Sequence, residues 1–140
     1  MASRLNPYFT FDGDAREAVE FYQRVLGGEL VLHTFGEYGA PDGVNPDGVM
    51  HAMLETPAGF TLMASDLPPG MELQPGGQVT VSLSGDDDDQ LRGYWDGLSA
   101  EGTVIMPLEP QMWGDTFGQC VDKFGIAWMV NILGEQNKPG

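Results

Sequence analysis

Apolar positions recur at helical spacing twice along the chain, each time behind a short alternating segment. Ala18, Phe21, Tyr22 and Val25 make one stripe, and Leu91, Tyr94, Trp95 and Leu98 make another. Stripes of this period predict amphipathic helices, here over 15–26 and 90–100. Acids precede both: Asp12-Gly13-Asp14 before the first and Asp86–Asp89 before the second. Asp12 or Asp14 offers an acceptor to the unpaired amides of the first helix, and Glu17 follows Asp14 at capping-box spacing. Gly27-Gly28 and Glu101-Gly102 end the two stripes.

Around the helices the period changes to two. Leu5–Phe11, Glu29–Phe35, Val49–Glu55 and Phe60–Ala64 read as strands in the first half. Gln78–Ser84, Thr103–Pro107, Phe117–Val121 and Ile126–Leu133 do so in the second. Thr56–Gly59 and Asp122–Gly125 read as hairpin turns, and Leu108–Asp115 as a loop carrying Trp113. Residues 5–66 and 78–133 therefore form two modules of one repeat, with 67–77 as linker, inside a single domain spanning 1–140. A shift of 73 places Asp14 on Asp87, Tyr22 on Trp95 and Pro7 on Thr80. Near the module ends a shift of 66 places Gly59 on Gly125 and Met63 on Met129. Each module reads β-α-β-β-β, giving an α+β fold. A sheet with one helix leaves a face uncovered, so two such modules are expected to make a half-open barrel cup with the helices outside. The tail 134–140 is expected to fray.

Charge narrows the function. The chain has 21 acids against 6 bases, a net charge of −15. That excludes the basic face a nucleic-acid binder needs and disfavours docking on anionic lipid. No apolar run is long enough to span a bilayer, and no signal-peptide core follows Met1–Arg4, so the cytoplasm is the expected location. The single cysteine, Cys120, permits no intrachain disulfide and lies in an apolar stretch that suits a buried, inert thiol. No phosphate loop, nucleophile elbow or dinucleotide fingerprint is present, and Gly76-Gly77 belongs to the linker.

Four segments resemble the vicinal oxygen chelate superfamily of glyoxalases, bleomycin-resistance proteins and extradiol dioxygenases, and within it the PhnB-like branch. They are 5–22, from Leu5-Asn-Pro-Tyr to Glu-Phe-Tyr22; Val49-Met-His-Ala-Met-Leu54; Trp113-Gly-Asp-Thr-Phe-Gly118; and 121–131, ending Ala-Trp-Met-Val-Asn131. The resemblance implies a homodimer and a small-molecule ligand. In metal-dependent members it also implies a divalent ion held by His, Gln and Glu, from the first and last strands of each module. By the same alignment those four positions read Pro7, Met63, Thr80 and Met129, none of them a good ligand for a hard ion. No metal site and no cofactor are therefore expected.

The expected ligand pocket comprises Tyr8, Phe35, Met63, Trp113, Trp128 and Met129, flexible thioethers and flat rings suited to an apolar or aromatic molecule. The leading function is small-molecule binding in the manner of bleomycin-resistance relatives. The alternative is a metal-dependent lyase, isomerase or dioxygenase with a displaced site near His51. Alternation puts His51, Met53 and Glu55 on one strand face, which makes His51 and Glu55 the candidate chemical pair; Glu37, Asp42 and Asp47 are possible rim acids. His33 has no acidic partner at a telling spacing and is read as structural.

Overall fold

The computed structural model describes residues 5–40, 42–67, 72–73 and 78–137. The chain divides into two compact units, Met1–Pro75 and Gly76–Gly140. In the first, β1 (Tyr8–Phe11) leads to α1 (Ala15–Leu26), then β2 (Glu29–Thr34), a single 3₁₀ turn at Gly36–Tyr38, β3 (Val49–Glu55) and β4 (Thr61–Asp66). In the second, β5 (Val81–Gly85) leads to α2 (Asp88–Ser99), β6 (Thr103–Pro110), β7 (Thr116–Val121), β8 (Ala127–Ile132) and a 3₁₀ turn at Glu135–Asn137. Each unit is one open four-stranded sheet, ordered β1-β4-β3-β2 and β5-β8-β7-β6. The first and last strands of each run parallel, and the other neighbours antiparallel. Among the described residues no helix is long and apolar enough to cross a membrane.

One helix packs on one face of each sheet. In the first unit Ala18, Phe21 and Tyr22 of α1 are buried with Phe9, Phe11, Ala52, Leu54, Leu62 and Ala64. In the second, Leu91, Tyr94, Trp95 and Leu98 of α2 are buried with Leu83, Cys120, Trp128 and Val130. The strand residues between these, being of opposite pleat, face away from the helix.

Both helix exits need a glycine, because the chain there passes over the end of a neighbouring strand. A Cβ on Gly28, where φ is +103°, would stand 2.1 Å from the Glu55 carbonyl oxygen; one on Gly102 would stand 2.3 Å from that of Val121. The repeat thus extends to its tightest contacts. It also extends to its closures, where the amides of Leu67 and Leu133 donate to the carbonyls of Phe11 and Gly85, both at 2.8 Å.

Several boundaries differ from the sequence reading. Asp14 makes no side-chain cap on α1, whereas Asp87 caps α2 by accepting from the Gln90 amide at 3.1 Å. The carboxylate of Asp66 caps α1 instead, accepting from Gly13 at 3.0 Å and Ala15 at 2.9 Å, and from Val49 at 2.8 Å. Ser65 and Asp66 therefore complete β4, and most of the expected linker (68–71 and 74–77) lies outside the described residues. Strand β6 runs on to Pro110; it is an exposed edge strand with two register shifts, which is where prolines are tolerated.

Nor does the tail begin to fray at Gly134. Asp115 accepts from the Gly134 amide at 2.8 Å and from Asn137 Nδ2 at 2.7 Å. Hydrogen bonds from Asn131, Gly134 and Asn137, in that order, hold its carboxyl below the usual aspartate range.

Candidate functional site

Pleat and register define a row of side chains on the helix-free face of each sheet. In the first unit Tyr8 pairs with Met63, Met63 with Met53, and Met53 with Val31. In the second Ser82 pairs with Met129, Met129 with Gln119, and Gln119 with Met106. None of these residues is buried, and Tyr8 is 49% exposed. The first row mixes aromatic, thioether and aliphatic groups, whereas the second alternates the polar Ser82 and Gln119 with the thioethers Met129 and Met106.

The strand-one members are Tyr8 and Ser82, where the sequence alignment puts Pro7 and Thr80. The miss is one residue in the first unit and two in the second, and the difference between them comes from a one-residue difference in the strand-to-helix connection. Asp12-Gly13-Asp14 joins β1 to α1, but Asp86-Asp87 joins β5 to α2. A shift that aligns the helices is therefore short by one on the strands. Pro7 precedes β1 and contributes only its carbonyl, which accepts from the Met63 amide at 3.1 Å.

The other expected pocket residues fall in three places. Trp128 is fully buried on the helix side, with its Nε1 donating to Asp122 Oδ2 at 2.8 Å, so it is a core residue and not part of the open row. Phe35 lines a side cleft of about 310 Å³ with Asp42, Val44, Asn45 and Gly48. Trp113 is 51% exposed on the loop after β6, edge-on to Phe117 with ring centroids 6.1 Å apart. Phe117 shares the pleat of Gln119, which places it on the open face; strand alternation alone carried that signal. The Trp113 carbonyl accepts from Gln136 Nε2 at 3.3 Å and Asn137 Nδ2 at 3.1 Å, fastening this loop to the last 3₁₀ turn.

His51 and Glu55 do not come together. They stand four positions apart on one strand, about 13 Å at strand rise, and Glu55 is exposed beside Thr61 and Phe60 in a hollow of about 400 Å³. The partners of His51 are Tyr8, whose hydroxyl lies 3.4 Å from its Nδ1, and His33, directly across the strand pair. His33 does have an acidic partner: its Nδ1 stands 3.6 Å from Glu37 Oε1. The turn at Gly36–Tyr38 folds Glu37 back, and strand spacing conceals that approach. Thr34 donates its amide and hydroxyl to Glu37, and that backbone bond first, then His33, lowers the Glu37 carboxyl below its ordinary range.

Cys120 is buried, and burial, with the nearby Asp122 charge, pushes its thiol up to about 11. The thiolate is the reactive form. The native protein should therefore leave a thiol reagent unconsumed at pH 8 over an hour, and the unfolded chain should consume one equivalent within minutes. Rapid native labelling would contradict this burial.

A model of the Glyoxalase/Bleomycin resistance protein/Dioxygenase superfamily matches residues 4–130. The chain belongs to the glyoxalase/bleomycin resistance protein/dioxygenase superfamily. Within its reach, protein YjdN of Escherichia coli (strain K12) is 33% identical over 144 residues, covering 94% of this chain and 97% of YjdN. Protein PA1353 from Pseudomonas aeruginosa matches in structure with a TM-score of 0.81 and 34% identity, over 94% of this chain and 98% of PA1353. A PhnB protein from Bacillus cereus matches with a TM-score of 0.73 over 93% of this chain and 99% of its own, at 20% identity, which is a likeness of fold.

The divalent ion implied by the glyoxalase resemblance can be tested against the donors present. Its four strand positions carry a phenol (Tyr8), a hydroxyl (Ser82) and two thioethers (Met63, Met129). Thioethers are soft donors that suit copper(I); outside the four positions Gln119 adds an amide oxygen beside Met129, and His51 an imidazole beside Tyr8. The four residues themselves do not fit a hard or borderline divalent ion.

Proposed function

We propose that the chain is a small-molecule binding protein of the PhnB-like glyoxalase/bleomycin-resistance type, acting without the usual metal site and without a resident cofactor. The observation that carries this reading is the occupancy of the open rows: Met63 and Met129 stand where the resemblance implies ligands for an ion. Tyr8 beside Met63 and the Trp113–Phe117 pair in the second unit supply flat surface for an apolar or aromatic ligand. The homodimeric state implied by the resemblance, and the cytoplasmic location expected from the sequence, belong to the same proposal.

A metal-dependent lyase, isomerase or dioxygenase built on His51 and Glu55 is less favoured, because their separation gives them no common substrate atom.

The test is a fluorescence titration of the full chain against a library of neutral and cationic aromatic metabolites, read through the half-exposed Trp113 and repeated by calorimetry. At least one compound should bind in the micromolar range. Met63→Asp should weaken a ligand seated on the first unit's row, or Met129→Asp one seated on the second's, at least tenfold, about 1.4 kcal/mol or more, by placing a charge there. A library without binders, or a binder indifferent to both substitutions, removes the reading.

A further inference from the structure

His33 and His51 are 18 positions apart in the chain but directly opposed across β2 and β3. Opposed residues of an antiparallel pair share a face, with Cβ atoms about 5 Å apart. Two imidazoles so placed can meet at one ion, at metal–nitrogen distances of about 2.0–2.1 Å. The register shifts next to His33, between His33 and Thr34, so the strand pair is locally bulged at the histidines. Bulges re-aim side chains and recur beside sites.

Each ring also has a partner on the same nitrogen. Nδ1 of His33 faces Glu37 Oε1 at 3.6 Å, and Nδ1 of His51 faces the Tyr8 hydroxyl at 3.4 Å. Glu37 is itself anchored by Thr34. A carboxylate or hydroxyl on one imidazole nitrogen fixes the ring and leaves the other nitrogen to bind. Two further ring contacts flank the pair, Tyr8 with His51 at 5.9 Å and Tyr38 with His33 at 6.1 Å between centroids.

We infer that His33 and His51 form a two-imidazole site for a borderline divalent transition metal, oriented by Glu37 and Tyr8; neither histidine stands at one of the four strand positions where the superfamily resemblance implies a metal. Imidazole suits copper(II), nickel(II) and zinc, and copper(II) binds such nitrogen sites most tightly. Among the described residues no group of three or more His, Cys, Asp or Glu forms a cage. The remaining coordination positions are thus open to water or to donor atoms of a bound molecule. This site does not depend on the ligand-binding reading.

The experiment titrates chelator-treated full-length protein with copper(II) chloride by calorimetry and records the electron paramagnetic resonance spectrum at one equivalent. One ion should bind per chain above the weak background of surface acids, with hyperfine structure from two imidazole nitrogens. His33→Ala and His51→Ala should each lower affinity at least tenfold, and Glu37→Gln about tenfold through the lost orientation of His33. Far-UV circular dichroism and an unreactive Cys120 check that each variant is folded; His33→Gln and His51→Gln replace any variant that fails. Unchanged affinity in the double histidine variant assigns the ion to surface acids and overturns the inference. So does a spectrum with fewer than two imidazole nitrogens.

Discussion

Asp66→Ala should lower the stability of the protein by about 4 kcal/mol, because two fully buried amides lose their acceptor at a cost of about 2 kcal/mol each. Those amides belong to Ala15, at the start of α1, and Val49, at the start of β3; both residues are wholly inaccessible to water. The third donor, Gly13, is exposed and can turn to solvent. The negative charge at the head of α1 is lost as well, and with it a favourable interaction with the helix dipole. The melting temperature should fall by roughly 10–15 °C. Asp66→Asn should recover about half of the loss, since its amide oxygen can keep the Gly13 and Ala15 donors while its nitrogen meets the Val49 amide as a second donor. Two other substitutions isolate the cause. Asp14→Ala should change stability by less than about 0.5 kcal/mol, because Asp14 makes no cap. Asp87→Ala should cost about 1 kcal/mol, the usual worth of a single cap. Denaturant unfolding of the three variants checks the ranking; an Asp66→Ala loss no larger than that of Asp87→Ala would remove Asp66 from its role as the joint of helix and strands.

That joint shows which parts of the architecture were legible beforehand. The helix stripes were, because burial on a helix is periodic and Phe21, Tyr22, Tyr94 and Trp95 declare the period themselves. So was the doubling of the β-α-β-β-β plan, carried by turn glycines such as Gly59 and Gly125. The cap of α1 was not. An aspartate 52 positions after Asp14 cannot be ranked against it by spacing, and the donors of Asp66 meet only after β4 pairs with β1. Glu37 reached His33 for a similar reason, through a 3₁₀ turn that strand periodicity does not describe. At the candidate site Met63 and Met129 were legible from the turn glycines that precede them, and Tyr8 was among the expected pocket residues, but the alignment put Pro7, one residue earlier, at the strand-one position opposite Met63. Trp128 is different in kind. It adjoins Met129 on one strand, and neighbours on a strand point to opposite faces. Period two therefore forbade placing both in one pocket, and choosing between them needed only the knowledge of which face carries the helix.

The same alternation makes Trp128→Ala the second large effect. Trp128 is fully buried between Val81 and Cys120 in the register of the second sheet, and its indole nitrogen donates to Asp122. Truncation to alanine should cost about 4 kcal/mol, within the range for deleting a buried aromatic ring. Trp128→Phe keeps most of the ring and loses one hydrogen bond to a charged acceptor, so it should cost about 2 kcal/mol. Asp122 retains the amides of Phe124 and Ile126 on its other oxygen at 2.9 and 3.1 Å, so its turn should survive the substitution. The cavity left by alanine lies against Cys120, whose thiol should become measurably reactive in the folded variant. Met129 should behave in the opposite way. Its side chain is only half-buried on the open face, so Met129→Asp should weaken a ligand seated on the second unit's row at least tenfold, whereas Trp128→Phe should leave ligand affinity within about twofold. Stability and affinity measured together on these two adjacent residues separate core from site. An affinity loss in Trp128→Phe as large as that in Met129→Asp would place the ligand on the helix face of the sheet and overturn the assignment of the open row.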